Sequence, residues 1–283
     1  KFSDVLSETD LMDNPEGEAG MPKNFTGGNV STVTGLTYNT GEQKVFKPNE
    51  QKPGVRDDGS RVDWLSAQTA IRALASSRVQ DLIGLKMEES GREFTKIITG
   101  ISLSMYKGQI GTSAEMAEGS EVTTMQKDEN GRPIGSTDLN VDISDIEVQR
   151  QLANLQLFDM LTAQSDRNPG NIMISQKTGE KSKVMGIDQD FSFSEQTNIK
   201  ESIGKSSLPI HVDRYFAEAI LAINAGEYRA ALKGLPKTSL DAAMTRFTSI
   251  QKYLREMAAE NTLLVAPGDD TYPGARTWGD VDP

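Results

Sequence analysis

The chain changes character once along its length, and that change limits the folds that it can adopt. Up to about residue 122, short β-forming segments alternate with Gly, Pro and Asn, whereas long helical patterns dominate from about residue 142. No internal repeat is visible, so this order predicts an α+β fold whose strands come first. The predicted strands cover 30–38, 44–47 and 94–107, and the predicted helices cover 63–85, 145–162, 213–233 and 239–260.

Three details of this assignment can be checked against a structure. The segment 126–138 is rich in Gly, Pro and Asp and is predicted to be a loop. Asp142 or Ser144 is the expected N-cap of the 145–162 helix. The segment from residue 267 onwards is expected to be irregular.

Residue composition excludes several classes of site. The chain has 283 residues, 36% hydrophobic and 25% charged, which is typical of a folded globular protein. It has no cysteine, which excludes disulfides, thiolate metal sites and cysteine nucleophiles. A single histidine, His211, argues against a zinc site or a histidine-dependent hydrolase triad. We expect His211 to be a hydrogen-bonded loop residue near a helix start.

The net charge limits the classes of partner. It is −11, and an acidic surface disfavours a nucleic-acid backbone or an anionic membrane. It does not disfavour ATP, because a few local cations can dominate a cleft. No apolar stretch approaches the ~20 residues of a membrane span, and no signal peptide is visible. We therefore expect neither nucleic acid nor a membrane among the partners.

A short polar loop, SDRNPGNIMI at 165–174, contains the densest group of candidate functional residues. It follows a predicted helix and places Asp166, Asn168 and Asn171 directly before an apolar, strand-like segment. Asn and Gly-Pro commonly mark turns, so a plain loop is the simplest interpretation. The alternative is that the loop aims its carboxylate and amide groups at a ligand.

The next apolar segment, KVMGIDQDFSF at 183–193, favours that alternative because it ends with Asp188 and Asp190. A β-hairpin of this length brings its strand ends together, so Asn171 and Asp188 are expected to face one pocket, with Asp166 close by. Asn and Asp oxygens suit Mg²⁺, which completes its coordination with phosphate and water. A further carboxylate can accept a hydroxyl proton. Phosphoryl transfer requires this combination.

The strand-rich part supplies the opposite side of such a site. A glycine-containing hairpin, TGGNVSTVTG at 26–35, can lie over phosphates and offer them backbone N–H groups. Lys47, at the end of a strand, is a fixed cation for the α- and β-phosphates of a nucleotide. Each feature alone is common. Their order along the chain, together with the acidic loop and strand, is far less so.

Three motifs resemble those of a group of kinases. VFKP at 45–48 resembles the lysine strand of phosphatidylinositol 4-kinases and related bacterial kinases. DRNPGN at 166–171 is similar to the D-R-H-x-x-N loop of phosphatidylinositol 3- and 4-kinases and HipA-type protein kinases. GIDQDFSF at 186–193 resembles their I-D-x-G-x-x-F metal strand, and several bacterial secreted effectors carry the same set. The resemblance spans about residues 25–262 and implies a bilobal protein-kinase-like fold, with a β-rich N-lobe and a mainly α-helical C-lobe.

The resemblance also implies roles for individual residues. Lys47 would pair with phosphates, and Asp166 would be the catalytic base. Asn171 and Asp188 would hold Mg²⁺, and a hinge strand around 115–118 would bind adenine through its backbone. The implied nucleotide-binding residues are Gly28, Asn29, Ser31, Thr32, Lys47, Glu115, Met116 and Ala117.

Three positions depart from the pattern of these kinases. The histidine of the catalytic loop is replaced by Asn168, which alters a contact to the transferring phosphate. The glycine of the metal strand is replaced by Asp190, which is either a further metal ligand or a surface charge. The usual helix glutamate that pairs with the lysine has no assignable counterpart, because the first helix offers only Asp63 and Asp81 near its ends. Arg167 is expected to brace the loop rather than act in catalysis.

We expect an enzyme, namely an ATP- and Mg²⁺-dependent kinase that transfers the γ-phosphate to a protein hydroxyl. A bacterial effector secreted into a host cytoplasm and acting on a host protein fits the resemblance. The alternatives are a phosphoinositide kinase, a nucleotide-binding pseudokinase, and an enzyme that transfers AMP from the same pocket. A lipid substrate is disfavoured because 189–207 holds only Lys200 and Lys205 as basic residues. The predicted boundaries are a leader at 1–24, an N-lobe at 25–122, a linker at 123–141, a C-lobe at 142–266 and a tail at 267–283.

Overall fold

The structure, a computed structural model, describes residues 17–19, 33–37, 43–49, 69–121, 123–127, 133–138, 141–199 and 209–281. The strands in these ranges are β1 (Gly17–Ala19), β2 (Thr34–Thr37), β3 (Gln43–Pro48), β4 (Ile101–Tyr106), β5 (Gln109–Glu115), β6 (Ser120–Glu121), β7 (Thr123–Lys127), β8 (Pro133–Asp138), β9 (Ile172–Ser175), β10 (Lys183–Gly186), β11 (Val212–Asp213) and β12 (Leu263–Leu264). The α-helices are α1 (Thr69–Glu89), α2 (Ile146–Thr162), α3 (Arg214–Ala222), α4 (Ala225–Ala231) and α5 (Lys237–Ala259). Short 3-10 turns cover Pro169–Asn171 and Trp278–Asp280.

An antiparallel sheet of five strands forms the first part of the fold, in the order β1-β2-β3-β5-β4. Its middle strand, β3, carries Lys47, which lies opposite Thr112 of β5. The neighbouring pair joins Pro48 to Gly111, and a Cβ on Gly111 would lie 2.1 Å from the Lys47 carbonyl oxygen. Only glycine permits this close approach. The backbone of Lys47 is therefore held close to β5, while the preceding residue, Phe46, pairs with Thr34 of β2.

Helix α1 lies between this sheet and the helical part and is buried over most of its surface. Its buried polar side chains accept hydrogen bonds from backbone N–H groups of the chain that passes beside it. Gln80 Oε1 accepts the N–H groups of Ile97 and Ile98 at 2.8 and 2.7 Å, and Ser77 Oγ accepts that of Ile101 at 3.2 Å. These bonds satisfy groups that would otherwise be buried without a partner. Apolar periodicity indicates only one buried stripe on this helix, so the buried polar residues are a feature that the pattern does not predict.

The main hydrophobic core joins α1 to α2, α3, α5 and the strands β9 and β10. Its fully or nearly fully buried members include Ile83, Phe158, Val184, Phe216 and Ile250. Full burial of a side chain of this size contributes about 1.5–3 kcal/mol. The core therefore anchors α1 to the helical part, although this helix precedes β4 and β5 in the chain.

A smaller antiparallel sheet, in the order β10-β9-β6, positions the loop that follows α2. Gly186 at the end of β10 lies opposite Ile172 at the start of β9, so the two strands form the predicted hairpin. Its turn is closed by the Glu180 N–H, which donates to the Lys177 carbonyl at 3.1 Å, and Gly179 adopts a φ of 83°. The hairpin brings the end of β10 beside the 165–171 loop.

Several element boundaries differ from the sequence predictions. The prediction of a loop at 126–138 is wrong, because β7 and β8 pair as a hairpin there. The strand propensity of their Thr, Met and Ile residues favours this pairing. The 94–107 strand is confined to β4. Helix α1 continues to Glu89, beyond its predicted end at 85. Gly17–Ala19, within the predicted leader, pairs with β2 as an edge strand.

Two capping interactions explain the other differences. The predicted 213–233 helix is two helices, because Asn224 Oδ1 accepts the N–H groups of Gly226 and Glu227 at 2.9 and 3.0 Å while Glu227 bonds back to the Asn224 N–H. The N-cap of α2 is Asp145, which accepts the Glu147 N–H at 2.8 Å. Asp142 instead bonds the N–H and hydroxyl of Ser144.

His211 lies directly before β11, close to the start of α3, as expected. Its ring packs edge-on against Trp278, with ring centroids 6.4 Å apart. Within the described ranges, the buried Nδ1 atom makes no hydrogen bond, so the expected bond is absent at that nitrogen. In that same part of the chain, no helix has the length and apolar character needed to cross a bilayer.

Replacing Asn224 with Ala should lower the free energy of unfolding by about 1 kcal/mol, because the first turn of α4 loses its capping acceptor. Urea denaturation followed by circular dichroism measures this. Arg229→Ala, an exposed change on the same helix, is the matched control and should stay within about 0.5 kcal/mol of wild type. Equal values for both variants would show that the capping box does not stabilise the helix start.

Candidate active site

The loop after α2 is organised by its own asparagines. Asn171 Nδ2 donates to the Asp166 carbonyl at 2.7 Å and lies 3.5 Å from the Asp166 carboxylate oxygen Oδ2. Asn168 Oδ1 accepts the Gly170 N–H at 2.9 Å and so caps the 3-10 turn. Asn168 therefore has a local structural use in the position where the related kinases carry histidine. The loop holds Asp166 and Asn171 in contact, as the sequence predicts.

A buried arginine ties this loop to the rest of the site. Arg167 makes a two-pronged ion pair with Asp159 of α2, with N–O distances of 2.8 and 3.0 Å. Its Nη1 atom donates to the carbonyls of Asn171 and Ile187 at 2.8 and 2.6 Å. A Cβ on Gly186 would come within 2.8 Å of the guanidinium, so glycine leaves room for this arrangement. Arg167 has the bracing geometry that we expected.

Lys47 contacts two carboxylates of the segment that follows β10. Its Nζ atom lies 2.8 Å from Asp188 Oδ1 and 3.4 Å from Asp190 Oδ2. Asp188 adopts a φ of 59°, in the left-handed region that is unfavourable for a residue with a Cβ. Gln164 Nε2 donates to the Asp188 carbonyl at 2.8 Å, and its Oε1 accepts the Asp166 N–H at 3.1 Å. One glutamine side chain thus joins the 165–171 loop to Asp188.

The pKa values of these three groups are strongly perturbed. Burial would lower the pKa of the Lys47 ammonium, but the two carboxylates outweigh it and raise that pKa above its usual value. Burial would raise the pKa of Asp188, but the Lys47 charge lowers it below its usual value. For Asp190, burial and the nearby Asp188 charge raise the pKa to about 6, against the opposing effect of Lys47.

The segment after Asp190 is held by two buried arginines from different helices. Arg72 of α1 donates to the carbonyls of Ser192, at 2.6 Å, and Phe193. Arg246 of α5 donates to those of Ser194, at 2.9 Å, and Gln196. Burial, with the nearby Arg72 charge, lowers the pKa of Arg246 to about 10. We refer to residues 192–196 with these two arginines as the arginine clamp.

The predicted site residues are partly brought together. Lys47 contacts Asp188, and Asn171 links Asp166 to the end of β10 because the Ile187 N–H donates to the Asn171 carbonyl at 3.0 Å. Asp190 is 7% exposed, so the surface-charge interpretation is wrong. The remaining predicted phosphate-hairpin residues lie outside the described residues: Gly28, Asn29, Ser31 and Thr32.

The predicted hinge differs in form from a strand. β5 ends at Glu115, and Met116 and Ala117 lie in the connection to β6, so the predicted strand around 115–118 is wrong beyond Glu115. The Glu115 carboxylate is turned to Lys96, at 2.9 and 3.1 Å, and to the Gly100 N–H. Backbone groups of Met116 and Ala117 remain the candidates for adenine, as the resemblance implies.

The oxygen ligands present fit a magnesium ion. Within the described part of the chain, Asp188 Oδ1 is buried and accepts no well-directed hydrogen bond, although Lys47 lies beside it as an ion-pair partner. The side-chain nitrogen of Asn171 donates to Asp166, which leaves the side-chain oxygen Oδ1 of Asn171 for a cation. The described residues contain no cluster of three His, Cys, Asp or Glu side chains. One carboxylate oxygen and one amide oxygen suit an ion that completes its coordination with phosphate and water.

Sequence reasoning missed three residues that shape the site: Gln164, Asp159 and Arg72. Asp159 and Arg72 are charged residues among apolar neighbours in helical patterns, and a buried charge of this kind requires a partner. That signal was available in the sequence. Gln164 offers no comparable signal, because a polar residue just after a helix is ordinary.

No protein-family model matches the chain, and no curated protein matches it in sequence. Among solved structures, the Golgi casein kinase with Mn and ADP bound matches with a TM-score of 0.50 and 11% identity, covering 94% of this chain and 80% of that one. The chain has a protein-kinase-like fold. A proinflammatory kinase from Helicobacter pylori, CtkA, matches with a TM-score of 0.48 and 12% identity, covering 85% of this chain and 94% of that one. At such identities the likeness establishes the fold and not the activity.

Replacing Asp159 with Asn should lower the free energy of unfolding by about 3 kcal/mol, because it leaves the buried Arg167 charge without its carboxylate. Equilibrium unfolding in urea measures the change. The matched control is Glu118→Gln, which breaks the exposed pair with Lys177 and should change stability by less than about 1 kcal/mol. If both variants lost the same stability, the Arg167 pair would not be the bracing interaction described above.

Proposed function

We propose that this protein is a kinase that transfers the γ-phosphate of ATP to a protein hydroxyl with the help of Mg²⁺. The observation that carries the proposal is the convergence of Lys47, Asp188, Asn171 and Asp166. Gln164 and Arg167 hold these residues around one point, at the junction of the sheet and the helical part. Phosphoryl transfer needs a cation, metal ligands and a base in such an arrangement.

Each residue has a role that its surroundings support. Lys47 is charged at neutral pH, because the adjacent carboxylates raise its pKa, and it contacts the phosphates of the nucleotide. Asn171 and Asp188 would hold Mg²⁺ through the oxygens identified above. The ion, when bound, neutralises charge on the β- and γ-phosphates. The strained backbone of Asp188 fixes the direction of its carboxylate.

Asp166 acts as the base of the reaction. The oxygen of the substrate hydroxyl forms a bond to the γ-phosphorus and gives its proton to the Asp166 carboxylate. The bond from that phosphorus to the bridging oxygen breaks, and ADP leaves. Asn171 orients Asp166 by donating to its backbone carbonyl, and Gln164 does so by accepting its N–H.

A protein acceptor is favoured over a phosphoinositide by charge. The chain has a net charge of −11, and an anionic headgroup is usually met by a basic surface. The Golgi casein kinase structure contains ADP and Mn, and it supports nucleotide and divalent-metal use here only through the shared fold. We further propose that the acceptor is a host-cell protein reached by a secreted bacterial effector, in keeping with the motif resemblance.

Incubation with ATP labelled in the γ-phosphate, Mg²⁺ and a host-cell extract should transfer label to a protein. Asp166→Asn should slow transfer by about 10²–10⁴-fold, because the hydroxyl proton then has no acceptor. Asp188→Ala should abolish transfer through loss of a metal carboxylate. Asp270→Asn, which changes an exposed carboxylate of the tail, is the control and should leave transfer unchanged.

The same experiment separates the alternatives. Label transferred from the α-phosphate would indicate AMP transfer. Label transferred only to phosphoinositide vesicles would indicate a lipid kinase. Nucleotide binding with no transfer of either label would indicate a pseudokinase, and full activity of Asp188→Ala would remove the metal assignment.

A further inference from the structure

Lys47 has an unexpected set of neighbours for a nucleotide-binding lysine. The first helix of the related kinases supplies a glutamate, whereas the acids in the described range of α1 are Asp81, Glu88 and Glu89. None of them pairs with Lys47. Asp81 interacts with Lys96, and Glu89 pairs with Lys86. Within the described ranges, the ion-pair partners of Lys47 are Asp188 and Asp190, which come instead from the segment after β10.

The two partners are not equivalent. Asp188 Oδ1 lies 2.8 Å from Lys47 Nζ and is the same buried oxygen that suits a metal ion. A metal cation bound to this oxygen would repel the ammonium group at that distance and so weaken its contact with Asp188. Asp190 Oδ2, at 3.4 Å, has no such second use. With a metal on Asp188, Asp190 is the carboxylate left to Lys47.

Asp190 is also well suited to this role by its burial. Its side chain is 9% exposed, and a buried carboxylate requires a positive partner close by. Lys47 is the cation in ion-pair contact with it. Asp190 occupies the position where the related kinases have glycine, which could not supply a charge.

The arginine clamp gives this carboxylate a fixed position. Arg72 holds the carbonyls of Ser192 and Phe193, directly after Asp190. Arg72 of α1 thus contacts the segment that carries Asp190. Helix α1 is therefore linked to Lys47 indirectly. Arg72 binds the backbone of the segment, and Asp190 of that segment contacts Lys47.

We infer that Asp190 is a positioning residue that holds Lys47 for the nucleotide phosphates, in place of a helix glutamate. This inference rests on the proposed function, since it assigns a partner to the phosphate-binding lysine. Asp190 does not touch the reacting atoms. Its effect passes entirely through Lys47, and this distinguishes it from a second metal ligand.

A double-mutant cycle tests this dependence. A fluorescent, non-hydrolysable ATP analogue with Mg²⁺ is titrated into wild type, Lys47→Met, Asp190→Asn and the double variant. Each single change should weaken binding by about tenfold, and the double variant should bind no more weakly than the weaker single variant. Asp190→Glu should recover part of the affinity, because it restores the negative charge. Circular dichroism checks that each variant is folded.

Binding of Mn²⁺, followed by electron paramagnetic resonance in the presence of the analogue, provides the second measurement. Asp190→Asn should keep the Mn²⁺ affinity of wild type once the analogue is saturating, whereas Asp188→Asn should lose it. If Asp190→Asn does not fold, Asp190→Glu is compared with wild type in both titrations. The longer side chain should displace Lys47 and weaken binding of the analogue, and it should leave the Mn²⁺ affinity unchanged because Asp188 is intact.

Three results would overturn the inference. Losses that multiply in the double variant would show that Asp190 acts independently of Lys47. A loss of Mn²⁺ affinity in Asp190→Asn or Asp190→Glu would make Asp190 a metal ligand. A wild-type protein that binds no nucleotide would overturn the proposed function and this inference together, whereas the first two results would leave the proposed function standing.

Discussion

The buried ion pair between Arg167 and Asp159 is the interaction on which the site depends. A guanidinium removed from water requires a carboxylate and several acceptors, and here it finds them on three elements at once. The carboxylate comes from α2, one carbonyl from the loop at Asn171, and one from Ile187 after β10. No two of these elements can move apart without breaking a charged hydrogen bond. The 165–171 loop and the segment that follows β10 are therefore held in fixed relative positions without a ligand.

A second constraint acts on the charges themselves. Lys47 projects from a strand that is paired on both sides along most of its length, and the carboxylates reach it from a different part of the chain. They do so through a backbone that is strained at Asp188 and held there by Gln164. Strain of about 1–3 kcal/mol persists only where the surroundings determine the conformation. Both the charged groups and the strained residue are thus held by neighbours that take no part in the chemistry.

Sequence predicted what is encoded locally. The β9–β10 hairpin, the approach of the Asn171 backbone to the end of β10, and the order of strands and helices follow from turn residues, strand ends and periodicity. The break at Asn224 was missed because a capping box competes with a helical pattern that runs through it. The partner of Lys47 was missed for a different reason: residues 143 apart in the chain meet only through tertiary packing. Asp190 looks like a surface residue until the fold encloses it.

The arginine clamp has a consequence for control of the protein. In many regulated proteins a segment near the active site becomes ordered only when phosphorylation adds a phosphate group that arginines can bind. Here Arg72 and Arg246 already grip main-chain carbonyls, which are present in every copy of the chain from the moment it folds. The described portion of this segment needs no covalent signal to take its shape.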